Sequence, residues 1–405
     1  MAALVPFRAL RPAPAAAALV AAVPYDVVST DEARALASGN PLSFLHVSRA
    51  EIDLPAGTNP FAEIVYAQAS ANLDRLKDEA PLVMEDVPSL YVYRLRVGGH
   101  SQTGLAACYS VDEYERDVIR KHEHTRPDKE DDRTRHLLAL GAQTGPVFLI
   151  YRARPAVDDL VDRATGTKPL YDFTSVDGVQ HTVWRVPATE ARELVVAFEA
   201  VPALYIADGH HRAASAARAC RTRAGATGVR GEWDWFLAVG FPDSQVQILP
   251  YNRVVELGGT TPGVFLNALR DRFNVRDGPA TPERRGEIAM FLQGTWHTIV
   301  LGEARGSLSH ADRLDVSRLQ DSVLGPLLQI GDVRTDQRID FVGGARGTAE
   351  LEARVRAGAP AAAFSLFPVD VGDLMAISDA GGIMPPKSTW FEPKLRDGLL
   401  THVIG

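Results

Sequence analysis

Two periods of apolar residues interleave along this chain. Period-two alternation marks strands at "SLYVYRLRV" (89–97) and "QTGLAACYS" (102–110), with the turn Gly98–His100 joining them as a hairpin. A helical period marks "NPFAEIVYAQASANLDRLKDEA" (59–80), whose Phe61, Ile64, Val65, Ala69, Leu73 and Leu76 are expected on one face. Before it, Ser29 or Thr30 with Glu32 reads as a helix start, and Gly39 as its stop. "SFLHVS" (43–48) is expected to be a strand. Residues 111–142 read as helix, polar break and helix, with Pro127 in the break.

Further strands are expected from Pro146 ("PVFLIY"), at "KPLYDFTS" and "HTVWRV" around the turn Val176–Gly178, and at "ALYIAD" (203–208). "PATEARELVVAFEA" (187–200) is expected to be a helix capped near Thr189. "WDWFLAVGFP" and "VQILPYNRVVEL" supply two more strands. From "GGTTPG" (258–263), read as a linker, the pattern shifts to a smaller alternation of helices and strands. The fold class is therefore α+β, with a larger unit over 1–257 and a smaller α+β unit over 258–405. No internal repeat is visible, and the one low-complexity segment is the alanine-rich stretch 13–24.

Composition narrows the class. The 405 residues exceed one ordinary domain, and 46% hydrophobic with 23% charged residues is the balance of a soluble globular protein. The net charge of −8 argues against a protein whose main contact is the nucleic-acid backbone. Cys108 and Cys220 match no zinc or redox spacing and read as reduced thiols of a cytoplasmic protein. No apolar run reaches the ~20 residues of a membrane span. The segment "APAAAALVAAVP" is too short and alanine-dominated for a secretory signal.

Three stretches could carry chemistry. In "YIADGHHRAASAARAC" (205–220) an apolar run ends at Asp208, a glycine turn follows at Gly209, and His210, His211 and Arg212 open an alanine-rich helix. A strand–glycine–helix junction points free N–H groups and the positive helix end at one spot, which suits an anion such as phosphate. Arg212 adds a charged fork, His210 and His211 add donors, and Asp208 is the residue able to hold magnesium. A metal held by the adjacent histidines is the weaker reading, because neighbours on a helix diverge by roughly 100°. A capped helix with polar surface residues is the bland one.

The second stretch is "KHEHTRPDKEDDRTRH" (121–136). Glu123 beside histidines could take a hydroxyl proton, and Arg133 or Arg135 could reach phosphate, although runs of charge are commonly solvated faces. The third is "MPPKSTWFEPKLRDGL" (384–399), where Lys387, Ser388 and Thr389 follow two stiffening prolines and resemble an anion contact. "PYDVVS" (Tyr25, Asp26) and "LPYNR" (Asn252, Arg253) are weaker candidates. A Walker-type loop, a dinucleotide fingerprint after a strand and a nucleophile elbow are all absent from the sequence.

Taken together, "PYDVVS", "NPLSFLHV", "KHEHT" with "EDDRTRHL", "GPVFLIY", "YIADGHHRAASA", "ILPYNRVV" and "MPPKSTWFEPKLRDGL" resemble the ordered blocks of the domain-of-unknown-function 1015 family. That resemblance implies a ParB/sulfiredoxin-like core with insertions, and a kinship with free serine kinases, which phosphorylate L-serine using ADP or ATP. It implies phosphate and nucleotide contacts at Gly209, His211 and Arg212; Arg133, Lys387, Ser388 and Thr389 join them from the reading of the residues alone. It also implies Mg2+ on Asp208, and catalytic roles for Asp208, His210, His211 and Glu123, the last as the base. The tail 384–399 is expected to return to that site. The expected activity is a nucleotide-dependent phosphotransferase acting on a small hydroxyl substrate, with L-serine as one acceptor. A ParB-like nucleotide switch associated with DNA and a metal-dependent nuclease are the alternatives. A homodimer stays open. Sulfiredoxin chemistry needs a cysteine in the phosphate motif, and residues 208–212 have none.

Overall fold

The computed structural model describes residues 2–79, 82–302 and 308–405. The chain divides into two compact units, residues 1–246 with 393–405, and residues 247–392. The division falls ahead of 257/258. Strand Tyr251–Glu256 pairs with Ile339–Gly343 and Ala361–Leu366, so it belongs to the sheet of the second unit. The segment "GGTTPG" is not a linker. It lies inside the second unit, and Thr261 caps helix Pro262–Arg270 by accepting from Val264 N–H.

The first unit is built on a nine-stranded mixed sheet. Its order runs Ile119–Arg120, Leu204–Asp208, Val147–Tyr151, Trp235–Pro242, His100–Ser110, Tyr91–Val97, Gln180–Arg185, Tyr171–Thr174, with Leu4–Val5 paired onto His100–Ser110. Most neighbours are antiparallel; Leu204–Asp208 with Ile119–Arg120, and Trp235–Pro242 with Val147–Tyr151, are parallel. The middle strands are buried on both faces. Val147–Tyr151 shows no exposed residue, which is why it reads as an unbroken apolar run. Four short antiparallel strands, Leu82–Met84, Ala9–Pro12, Thr401–Val403 and Ala142–Gln143, form a separate sheet, and the chain's last strand lies inside it.

Local signals placed many elements where the pattern put them. Ser29 and Glu32 form a reciprocal capping box on helix Thr30–Ala37. Gly98, at φ +55°, turns the hairpin between Tyr91–Val97 and His100–Ser110. Other expectations are corrected. "SFLHVS" forms the short helix Leu45–Ser48, not a strand. Pro127 is not in the break but opens helix Pro127–Leu140, where its missing N–H costs nothing. Helix Ala188–Phe198 starts at Pro187, without a Thr189 cap.

Helix Glu63–Glu79 forms, but Phe61 precedes it and Ile64 is 58% exposed. Its buried stripe is Val65, Tyr66, Ala69, Asn72, Leu73 and Leu76. Helices Pro155–Thr165 and Val371–Asp379 and the strands Asn274–Asp277 and Glu287–Leu292 are further elements that the pattern did not mark.

The second unit is a six-stranded antiparallel sheet in the order Asn274–Asp277, Thr295–Val300, Glu287–Leu292, Ala361–Leu366, Tyr251–Glu256, Ile339–Gly343. Its largest core cluster includes Phe265, Met290, Leu319, Leu324 and Phe364. Cys108 and Cys220 are free thiols. Among the described residues no helix is long and apolar enough to cross a membrane. The α+β class is that of the structure, a large mixed sheet with many helices.

Candidate functional site

Strand Leu204–Asp208 carries an irregularity between Ile206 and Asp208 that re-aims its last carboxylate. Gly209 follows at φ +93°, a conformation other residues adopt at a cost. Helix His210–Thr227 then begins, with Gly209 as a cap that offers no side chain. A Cβ on Gly209 would stand 3.1 Å from Nε of Arg212, so the guanidinium folds back over the turn. Alanines 213, 214, 216, 217 and 219 are buried and let the helix sit close on the sheet.

Arg212 is the charged centre of the turn. Its Nη1 donates to the Pro146 carbonyl at 2.5 Å. Its Nη2 faces Asp26 at 3.7 Å and Asp208 at 3.8 Å, both beyond hydrogen-bond range. Nε and Nη2 therefore have no hydrogen-bond partner among the described residues, although both are buried. Burial alone would push the guanidinium down; the carboxylates of Asp26, Asp208 and Asp397 outweigh it and hold the cation.

Asp208 receives Lys394 Nζ on Oδ2 at 3.0 Å. Burial works to raise its carboxyl, but Lys394 and then Arg212 reverse that and hold it well below the usual carboxylate range. Both its oxygens face cations, Oδ1 toward Arg212 and Oδ2 toward Lys394.

His210 is buried, and its Nε2 accepts from His122 N–H at 3.4 Å. The His210 and His122 rings meet edge to face, with centroids 4.4 Å apart. Burial holds both neutral, His122 at about 4 and His210 well below the ordinary imidazole value. His211 accepts from Arg126 N–H at 3.1 Å. Glu123 is exposed and lies with His122 and His210 in a cluster whose ligand atoms are within 4.8 Å of one another.

Arg133 reaches the same neighbourhood, but its charge is met by Asp132 at 2.7 Å and its guanidinium lies 4.1 Å from the centre of the Tyr25 ring. Tyr25, Ser48, Arg133, His136, Arg212 and Asp397 line a cavity with about 510 Å³ of open space. Asp397 is 3% exposed and its Oδ1 has no hydrogen-bond partner among the described residues. Burial pushes its carboxyl up to about 7, against the opposing pull of Arg212.

The structure thus gathers Asp208, Gly209, His210, His211, Arg212, Arg133 and Glu123 in the first unit. Lys387, Ser388 and Thr389 belong to the second unit. There Lys387 lies over the Tyr251 ring at 5.5 Å, its carbonyl accepts from Arg253, and Ser388 is buried. The tail residues in the first-unit site are instead Lys394 and Asp397. Both stand in "EPKLRDGL", just after the "KST" expected to make the contact. A lysine and an aspartate spaced among apolar residues near the C-terminus were the available signal.

The family described as "Protein of unknown function (DUF1015)" matches residues 4–317, and the chain belongs to it. No curated protein matches the chain. Several solved structures are remotely similar. SbnI with a C-terminal truncation, from Staphylococcus aureus, is 13% identical at a TM-score of 0.39, over 74% of this chain and 87% of that one. A variant of a free serine kinase in complex with ADP is 13% identical at 0.35, over 72% and 92%. A conserved hypothetical protein from Pyrococcus furiosus is 15% identical at 0.35, over 74% and 95%.

Proposed function

We propose that this member of the DUF1015 family is a nucleotide-dependent phosphotransferase acting on a small hydroxyl substrate, in the manner of a serine kinase, on a ParB/sulfiredoxin-like core. One observation carries the reading. At the Gly209 turn, two buried donors of Arg212 lack partners among the described residues, at the positive end of an 18-residue helix. Buried donors without acceptors are rare, and a phosphate oxygen is the acceptor this geometry suits.

In this reading the phosphates of ATP or ADP lie over Gly209 and the first turn of the helix. Arg212 donates Nε and Nη2 to them. Lys394 and Asp208 hold the turn's charge balance and fix the guanidinium's direction. His210 and His211 shape the near wall. Glu123, exposed beside His210, takes the proton of the acceptor hydroxyl. Magnesium supplies charge neutralisation when it accompanies the nucleotide. The cavity lined by Tyr25, Arg133 and Asp397 opens beside Arg212. Phosphoryl transfer asks chiefly for positioning and charge, which is what these residues provide.

The test is phosphate-detected NMR on purified protein with Mg2+, ATP or ADP, and a panel of amino acids and polyols. A phosphorylated acceptor is expected, L-serine among those tried. Glu123→Gln should stop transfer while nucleotide binding persists. Nucleotide binding without transfer to any hydroxyl would sink the kinase reading in favour of a switch.

A further inference from the structure

His122 and Glu123 follow strand Ile119–Arg120, and His210 opens helix His210–Thr227. One ligand atom from each lies within 4.8 Å of the other two. His122 is 1% exposed, yet neither of its ring nitrogens completes a hydrogen bond among the described residues. A buried imidazole whose two nitrogens are unpaired among the described residues has a lone pair to offer a ligand. His210 Nε2 meets the His122 N–H at 3.4 Å, too long to use its lone pair well.

We propose that His122, Glu123 and His210 bind a first-row divalent transition-metal ion of the zinc or manganese class. Two imidazoles and one carboxylate suit these ions, whereas magnesium prefers an all-oxygen shell. Metal–ligand bonds of about 2.1 Å in a tetrahedral site set donors about 3.4 Å apart. The side chains reach that from their present spacing by closing inward, and Glu123, being exposed, is the one with room to swing. Its exposure also gives an ion a way in. Three protein ligands leave a fourth position for water or a substrate oxygen. Nearby Asp208 is already balanced by Lys394 and Arg212, so Glu123 is the carboxylate that meets the ion's charge.

The site shares Glu123 and His210 with the phosphotransfer reading. A carboxylate sharing its lone pair with a metal is a poor base, so the two roles of Glu123 are alternatives on one side chain. Metal content is read with no nucleotide present, so either reading can fail without the other.

The experiment strips the full chain with a chelator and adds Zn2+ or Mn2+ alone. Bound metal is counted by mass spectrometry after desalting, and affinity is measured by calorimetry. One ion per chain is expected, with a zinc-dependent rise in melting temperature. Glu123→Gln should weaken binding by more than the roughly 10- to 100-fold seen when a residue behind a ligand is lost. His122→Asn should abolish retention. A chain that retains no ion, or one that binds equally well in both variants, overturns the proposal.

Discussion

The ammonium of Lys394 stands 3.0 Å from Oδ2 of Asp208, a residue 186 positions earlier in the chain. The pair ties the C-terminal tail to the strand end that feeds the glycine turn. Asp208 needs this partner, since its half-buried carboxylate stays ionised through Lys394 first and Arg212 second. Lys394→Met should therefore destabilise the fold by about 2–3 kcal/mol, below the usual cost of breaking a buried pair because Arg212 remains. Urea denaturation at neutral pH measures it. The loss should shrink as pH falls through the acid range, because protonating Asp208 removes the charge that Lys394 compensates.

Arg212→Lys keeps a positive charge but loses the planar fork. With one or two charge-assisted hydrogen bonds missing, nucleotide affinity should fall about 10- to 100-fold. Calorimetric titration with ADP reads this. Affinity unchanged in the variant would move the phosphate site away from the turn.

Gly209→Ala meets strain at φ +93° and a close approach to the Arg212 guanidinium. The expected cost is about 1–2 kcal/mol of stability. Nucleotide affinity should fall as well, because the displaced guanidinium loses its aim. A thermal melt together with the same titration separates the two effects.

Asp397 is a buried carboxyl raised to about 7 by desolvation. The folded chain holds its proton where the unfolded chain has released it. Its contribution to stability therefore falls as pH rises from about 4 to 7, and the full penalty stands above 7. Asp397→Asn should stabilise the protein at pH 8 and progressively less toward pH 4. Urea midpoints across that range check it, and a gain independent of pH would contradict the assignment.

Two imidazoles act in the opposite sense. His136 is held at about 4 by burial and Arg133, and His181 at about 3 by burial and Arg396. Each is neutral when folded and binds a proton on unfolding. Their stabilisation is complete above about 6.5 and is lost as pH falls through the folded values. Each of the two therefore weakens the fold as pH falls below about 6.5. His136→Asn should flatten that decline, read from the same midpoints.

The sequence by itself determined what short-range physics fixes. The Ser29–Glu32 capping box, the Gly98 hairpin, the buried run Val147–Tyr151 and the strand–Gly209–helix junction each follow from residues a few positions apart. Where local signals were ambiguous, packing decided. "SFLHVS" is a short apolar run whose period fits strand or helix equally, and the tertiary setting made it helical. The stripe of helix Glu63–Glu79 was set by its neighbours, so Tyr66 and Asn72 are buried and Ile64 is not. Only the tertiary structure could bring Lys394 to Asp208, leave Oδ1 of Asp397 without a partner among the described residues, and set His122 against His210. Pairing over such sequence separations depends on how the sheet orders its strands, and no local pattern encodes that order.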